Sequence, residues 1–382
     1  MGESNVFNHI LVPLDGSPLA ERALSHAETF ARLFGGRITL LEVLDPAPYH
    51  ENPSAVEPLN WQIRKAEADV YLQGLNSQLR SRGLNSDYVL REGRTPENIV
   101  DFAHEQDIDL LVLSTHGGSG LTRWNLSGVV SKVIDKIYLP VLLLRGYQDM
   151  GPGIPVSGGE LPEPVGSYSV QDGMTGQASH PTSESHAPAQ MVDHPVSYRR
   201  ILVPIDTSRR AECALPAAIT LAKPETAPTP TNPPAAGSPE VKPADGSTLI
   251  LAAVVNPPEL PIPAPYPEEI QQMRDRFLAL SRSAVEAYLN DLKVRVQVNS
   301  EARIVENPSV SVAIHHLVEQ ENVDLVVLCA HGQTGEINWP YGSVARNYIE
   351  HGTKTVLVMQ DVPLSQVRPT AAEVAAEKYG RR

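Results

Sequence analysis

Asp15 and Asp206 end two near-identical apolar runs, ILVPLD at 10–15 and ILVPID at 201–206. A block of small residues follows each run downstream, STHG at 114–117 and CAHG at 329–332. An acid at a strand end, with a glycine-bearing loop ahead of a helix, is the layout by which an open α/β sheet holds a nucleotide. The first of these loops reads HGGSGLTRWNLSG from His116 and runs directly toward a helix. Glycines permit a turn whose amides point inward, and the helix start adds unpaired N–H groups, so together they suit a phosphate. The GxxxxGK[ST] signature is absent from the sequence, which excludes a P-loop nucleotidase.

These pieces recur in register. Asp15 matches Asp206, Ala20 matches Ala211, Leu24 matches Leu215 and Ala31 matches Ala222, all 191 apart. Val43 matches Val254 at 211, and the offset is 215 from Asp109 with Asp324, through His116 with His331, to Leu142 with Leu357. The chain is one unit written twice. The step of 20 between the first two offsets falls after Lys223, in KPETAPTPTNPPAAGSPEVKPADGS, too rich in Pro for a helix or a central strand. Residues of about 223–247 are therefore expected to be a surface insertion between a helix and the next strand.

Each copy alternates strand and helix. Residues 10–15 are too short for a helix and are bounded by a turn at Gly16–Pro18. Ala20, Ala23, Leu24, Ala27, Phe30, Ala31 and Phe34 then fall on one helical face that stops at Gly35 and Gly36. A strand at 37–44, a helix near 58–82 and a strand near 87–91 follow. Pro96 opens a helix, 110–115 reads as a buried strand, 128–136 as a helix, and 141–145 closes the unit. Such alternation implies a parallel sheet covered on both faces. Asp15, Val43 and the block at 114–117 all lie at carboxyl ends of strands, and so on one rim, where ligands of open sheets sit.

Composition bounds the rest. A net charge of −14 gives little electrostatic support for a nucleic-acid partner. The apolar runs are strand-length and far below the ~20 residues that span a bilayer, so no membrane role is expected. The start, MGESNVFNHILVPLDG, lacks a basic segment followed by an apolar one, and a cytoplasmic location is expected. Cys213 and Cys329, read as one in each repeat, lack metal-ligand spacing and are expected to be small buried residues in a reducing compartment. Residues 146–197 hold Gly, Pro, Ser, His and acids but no Lys or Arg, the composition of a flexible tether. The tether histidines His180, His186 and His194 are spaced too irregularly to be read as a metal site. The organisation expected is a first domain at 8–145, the tether at 146–197, a second domain at 198–361 and a tail at 362–382.

At these motifs the chain looks like a tandem member of the universal stress protein family, the resemblance covering 9–145 and 199–360. It implies two open five-stranded parallel α/β domains of Rossmann-like type, each pairing through its last strand. The family's ATP-binding branch carries a glycine, two residues, a second glycine, nine residues, then Gly-Ser or Gly-Thr. The second copy reads Cys329, Gly332, nine residues and Gly342–Ser343, losing only the first glycine. The first reads Ser114, Gly117, nine residues and Ser127–Gly128, with the final pair reversed as well. By this resemblance Asp15 and Asp206 contact the adenosine portion and Val43 and Val254 lie at the adenine. Ser114 and Cys329 approach the ribose, and His116 and His331 flank it. Gly117, Ser127, Gly128, Gly332, Gly342 and Ser343 hold phosphates, while Pro13, Val129, Pro204 and Val344 complete the two sites.

The departures carry consequences. If Gly342 needs a positive φ or very close phosphate approach, Ser127 in its place costs about 1 kcal/mol or more. Ser127 can still cap the helix while Gly128 supplies an amide. The first loop carries Arg123 and the second carries Glu336; on the motif, the second site is expected to be the better one. His116 and His331 are expected to order their loops rather than act as bases. Trp124 and Trp339 are expected to be apolar lids or dimer contacts.

The resulting expectation is a stress-response binding module that holds ATP, ADP or AMP, with Mg²⁺ able to accompany the phosphates, and that signals occupancy through shape. It has no catalytic residue and no dedicated metal ligand. Without a convincing base or a phosphate-binding Lys, any turnover is expected to be slow. The alternatives are a slow Mg²⁺-dependent ATPase and a nucleotide-free interaction scaffold whose tether or insertion recruits protein partners. The copies are expected to pair within the chain through 141–144 and 356–359, burying edges that otherwise invite association. Homodimerisation is then permitted but not required.

Overall fold

The computed structural model describes residues 6–46, 58–115, 126–145, 196–223, 246–263, 265–333 and 339–362. His116, Gly117, Arg123, Trp124, Glu336, nearly all of the tether with its three histidines, most of the Pro-rich insertion and the tail beyond Val362 lie outside the described residues.

The first copy runs β1 (His9–Leu14), α1 (Pro18–Phe34), β2 (Arg37–Leu44), α2 (Pro58–Ser81), β3 (Ser86–Glu92), α3 (Thr95–Glu105), β4 (Leu110–Ser114), α4 (Gly128–Ile134) and β5 (Val141–Leu144). The second runs β6 (Arg200–Pro204), a 3₁₀ turn (Ala211–Ala214), α5 (Leu215–Ala222), β7 (Thr248–Val255), α6 (Glu268–Val296), β8 (Ser300–Glu306), α7 (Val310–Gln320), β9 (Leu325–Cys329), α8 (Ser343–His351) and β10 (Thr355–Met359).

Local chemistry sets these boundaries. Ser17 caps α1, its Oγ accepting from the Ala20 amide at 3.2 Å, and Pro18 sits in the first turn, where a missing N–H costs nothing. The helix stops at Gly35, whose φ of 66° is the left-handed cap that glycine adopts freely. In the second copy the matching helix is broken into the 3₁₀ turn and α5. Pro216 accounts for the break: lacking an N–H, it cannot donate back to the Glu212 carbonyl.

The ten strands form one sheet in the order β3-β2-β1-β4-β5-β10-β9-β6-β7-β8. Each half is parallel, and the halves join where β10 pairs antiparallel with β5, Leu357 opposite Leu142. Side chains alternate faces along each strand. Ile10, Val12 and Leu14 enter one apolar cluster and Leu11 the other; Ile201 and Val203 enter the first and Leu202 the second. α1, α2, α5 and α6 cover the first face, and α3, α4, α7 and α8 the second.

The duplication extends to polar staples. Asp109 Oδ2 accepts from the Asn8 and His9 amides at 2.9 and 3.1 Å, and Asp324 Oδ2 accepts from the Arg199 and Arg200 amides, both at 2.9 Å. Contacts between the copies lie on both sheet faces. On one face His26 Nδ1 meets Tyr198 Oη at 2.6 Å, and Thr29 donates to the carbonyl of Val196, at the end of the tether, at 2.9 Å. On the other, Arg346 pairs with Asp135 at 3.0 Å.

Candidate functional site

In each half the strand order reverses between the first and fourth strands, β1 beside β4 and β6 beside β9. Chains leaving such neighbours at their carboxyl ends diverge to opposite faces and leave a crevice. In the second copy that crevice is a cavity of about 480 Å³. Its walls include every second-copy residue expected at the site: Pro204, Asp206, Val254, Cys329, His331, Gly332, Gly342, Ser343 and Val344. The rest of the lining is mostly apolar, with Ile205, Ala252, Ala253, Phe277, Val285, Val310, Ile314 and Leu328 making an apolar wall.

Asp206 braces the two loops that form the crevice. Oδ1 accepts from the Ser208 amide at 3.0 Å and Oδ2 from the Gln333 amide at 2.6 Å. The approach is close enough that a Cβ on Gly332 would collide with Oδ2, so any side chain there displaces the carboxylate. In the first copy, Asp15 Oδ1 accepts from both the Ser17 amide (3.0 Å) and the Ser17 hydroxyl (2.6 Å), holding the residue that caps α1.

His331 is buried, with both ring nitrogens facing acceptors: Nδ1 lies 2.7 Å from Asp361 Oδ1 and Nε2 lies 2.8 Å from the Trp339 carbonyl. Two acceptors are both satisfied only when both nitrogens donate. Burial alone lowers the imidazole pKa, but the Asp361 carboxylate and the Trp339 carbonyl outweigh it and the net direction is upward. Arg210 Nε lies 3.1 Å from Asp361 Oδ2 and sets a cation beside the same carboxylate. The imidazole thus ties the two ends of the 332–339 loop together and presents no free nitrogen to a substrate. Trp339 itself is 60% exposed.

The two copies differ at the helix start. Gly342 has φ −70° and ψ 170°, an extended conformation open to any residue. The left-handed strain considered for Ser127 is therefore absent; Ser127 sits at φ −58° and ψ 151°. Its Oγ accepts from the Val130 amide at 3.2 Å, so it caps α4 as its residue type suggested. The equivalent backbone bond is kept in both copies, Ser127 N–H to Thr115 O at 3.0 Å and Gly342 N–H to Ala330 O at 2.8 Å. No side chain caps α8, and its first residues Ser343, Val344 and Ala345 line the cavity. Uncapped first-turn amides carrying the positive end of a helix dipole are an anion site.

In the first copy, Pro13, Asp15, Val43, Ser114, Ser127, Gly128 and Val129 occupy the corresponding carboxyl-end positions. A further residue distinguishes that rim. Glu42, where the second copy has Ala253, is a second carboxylate beside Asp15, and burial followed by the Asp15 charge raises its pKa to about 7.

Two features escaped sequence reasoning. Thr207 has a φ of 64°, rare for a β-branched residue, and it lines the cavity. Its match at the 191 offset is Gly16 (φ 73°), a signal that was present in the sequence. The second concerns the cysteines. Both belong to the second copy, both are half-buried, and their sulfurs lie 2.6 Å apart. The expectation of one small buried cysteine in each repeat is corrected: both lie in the second copy, 116 positions apart, and the 3₁₀ turn's placement against β9 brings them together.

Fold and crevice define a tandem open α/β protein. A model described as the universal stress protein family matches residues 7–145 and 240–360, more than half of the chain. The chain belongs to the universal stress protein family, as a member with two domains in tandem. The second match starts at 240, whereas the fold places β6 and α5 of the same unit ahead of it. A universal stress protein of Methanocaldococcus jannaschii is 29% identical over 142 residues, 37% of this chain and 84% of that protein. One from Thermus aquaticus is 29% identical over 147 residues, 37% of this chain and 100% of that protein. Among solved structures, a universal stress protein of Archaeoglobus fulgidus superposes with a TM-score of 0.55 at 13% identity, covering 93% of this chain and 99% of that one. That likeness concerns the fold. Among the described residues no helix is long and apolar enough to cross a membrane.

Proposed function

We propose that the second copy binds an adenine nucleotide, ATP or its di- or monophosphate, and acts as a stress-response binding module rather than a catalyst. The observation that carries this reading is the convergence of Asp206, Val254, Gly332, Gly342 and Ser343 on one cavity of about 480 Å³, within the volume range of small-molecule sites. The apolar wall receives the base and the uncapped start of α8 receives phosphate through main-chain amides.

The lining also supports the absence of rapid turnover. Asp206 is its only carboxylate among the described residues, and that group already accepts from two amides. His331 is held between two acceptors, so neither group is placed to activate water. Mg²⁺, where present, arrives with the phosphates; no cluster of three acids, His or Cys suited to a metal occurs among the described residues.

Titration of nucleotide-stripped protein with ATP by calorimetry, with phosphate release followed in parallel, tests the reading. Heat of binding without turnover is expected, and Gly342→Val should weaken binding at least tenfold, because Gly342 lines the cavity and an added Cβ already stands 3.3 Å from the Ala330 carbonyl. Turnover abolished by Asp206→Ala would instead establish a slow ATPase. Neither heat nor turnover would leave an interaction scaffold.

A further inference from the structure

The two thiols of this chain meet at the floor of the cavity. Cys329 ends β9 and lines the cavity wall; Cys213 sits in the 3₁₀ turn behind it. The sulfurs are 2.6 Å apart, so a bond of ~2.05 Å needs only a small closing movement. Each thiol also has a carbonyl acceptor, the Arg210 oxygen 3.0 Å from the Cys329 sulfur and the Met359 oxygen 4.0 Å from the Cys213 sulfur. The first copy has Arg22 and Ser114 at the equivalent places, so the pair is particular to the second.

We propose that Cys213 and Cys329 are a reversible disulfide-forming pair, oxidised by a small peroxide that enters through the cavity and reaches Cys329 first. Cys329 gives up its proton and, as the thiolate, attacks one peroxide oxygen; the O–O bond breaks, leaving a sulfenic acid and a hydroxide that takes up the released proton to become one water. Cys213, giving up its proton, then attacks the Cys329 sulfur, the S–O bond breaks, and the hydroxide leaves as a second water. Two thiols and one hydrogen peroxide give one disulfide and two waters, so hydrogen and electrons balance. The order follows from access, since Cys329 lines the cavity and Cys213 is not among its lining residues. It also follows from chemistry: the hydrogen bond to Cys329, then burial, push the Cys213 thiol well above the usual range, which makes it a poor first nucleophile. The bond would fasten the 3₁₀ turn to the end of β9, across the switch point that forms the crevice.

This proposal does not depend on nucleotide binding. The test uses the full chain, reduced, freed of reductant and exposed to hydrogen peroxide, then denatured, alkylated and peptide-mapped. The expected product is a cross-linked pair of peptides carrying Cys213 and Cys329, two hydrogens lighter than the reduced pair and restored by dithiothreitol. Monomer migration on a non-reducing gel should be retained. Cys213→Ser should yield a dimedone-reactive sulfenic acid at Cys329 and no cross-link, and Cys329→Ser should slow modification of Cys213 by at least tenfold. Both thiols remaining alkylatable, an intermolecular cross-link, or over-oxidation of wild-type Cys329 to the sulfinic acid in place of the bond would overturn it.

Discussion

Thr207 occupies in the second copy the turn position that Gly16 occupies in the first, and the two share a positive φ, 64° and 73°. Glycine adopts that backbone freely, whereas an L side chain there costs roughly 1–2 kcal/mol. Thr207→Gly should relieve the strain while returning part of the gain as unfolded-state entropy, a net stabilisation of about 0.5–1 kcal/mol. Gly16→Thr should lose about 1–2 kcal/mol. Urea denaturation of each variant beside wild type measures both, and an unchanged midpoint for Gly16→Thr would show that the turn is not constrained.

Gly332 is the counterpart by space rather than by conformation, because its missing Cβ makes room for Asp206. Gly332→Ala should push the carboxylate off the Gln333 amide and weaken ATP binding at least tenfold by calorimetry. Asp206→Ala in the same chain removes the atom that is struck, so the double variant should bind no worse than Asp206→Ala alone. Additive losses would place the glycine's role elsewhere.

Arg145, just beyond β5, reaches into the other copy and donates from Nη2 to the Tyr348 and Ile349 carbonyls at 2.6 and 2.7 Å. These are last-turn carbonyls of α8, where a cation is favoured, and burial pushes the guanidinium down to about 10. Arg145→Met should destabilise the fold by about 2 kcal/mol, the scale of hydrogen bonds to a charged group. Because the other end of α8 borders the cavity, ATP affinity should fall with it. Thermal unfolding and calorimetry on one preparation read the two effects together.

Glu42 makes stability depend on pH. Its folded pKa, raised from 4.5 to about 7, means that the native state holds the proton more tightly than the unfolded chain. The contribution is fully present below pH 4.5 and is lost as pH rises through about 7. Glu42→Gln should flatten that part of the profile and raise stability at pH 8 by a few kcal/mol at most, at about 1.4 kcal/mol per pKa unit. Urea midpoints at pH 5 and pH 8 suffice; an unchanged difference between them would assign the dependence to another group.

The alternation of strands and helices was legible in the chain because it rests on short-range rules, the repeat because its two copies keep register, and the second-copy cavity residues through the resemblance of their motif to a known family. Ile10, Leu11 and Val12 alternate faces as any strand must, Ser17 and Pro18 open a helix, Gly35 closes it, and Asp206 and Gly332 sit where a carboxyl-end rim requires. The broken helix at Pro216 was also legible in principle, since a missing N–H is a local fact. Tertiary structure alone decided the meeting of Cys213 with Cys329, the reach of Arg145 to α8, the left-handed Thr207 and the clamping of His331 between Asp361 and Trp339. In the first two cases more than a hundred residues separate the partners, and their distance is set by sheet order and helix packing. A sequence pattern reports which face of an element a residue takes, but not which residue of a remote element stands opposite it.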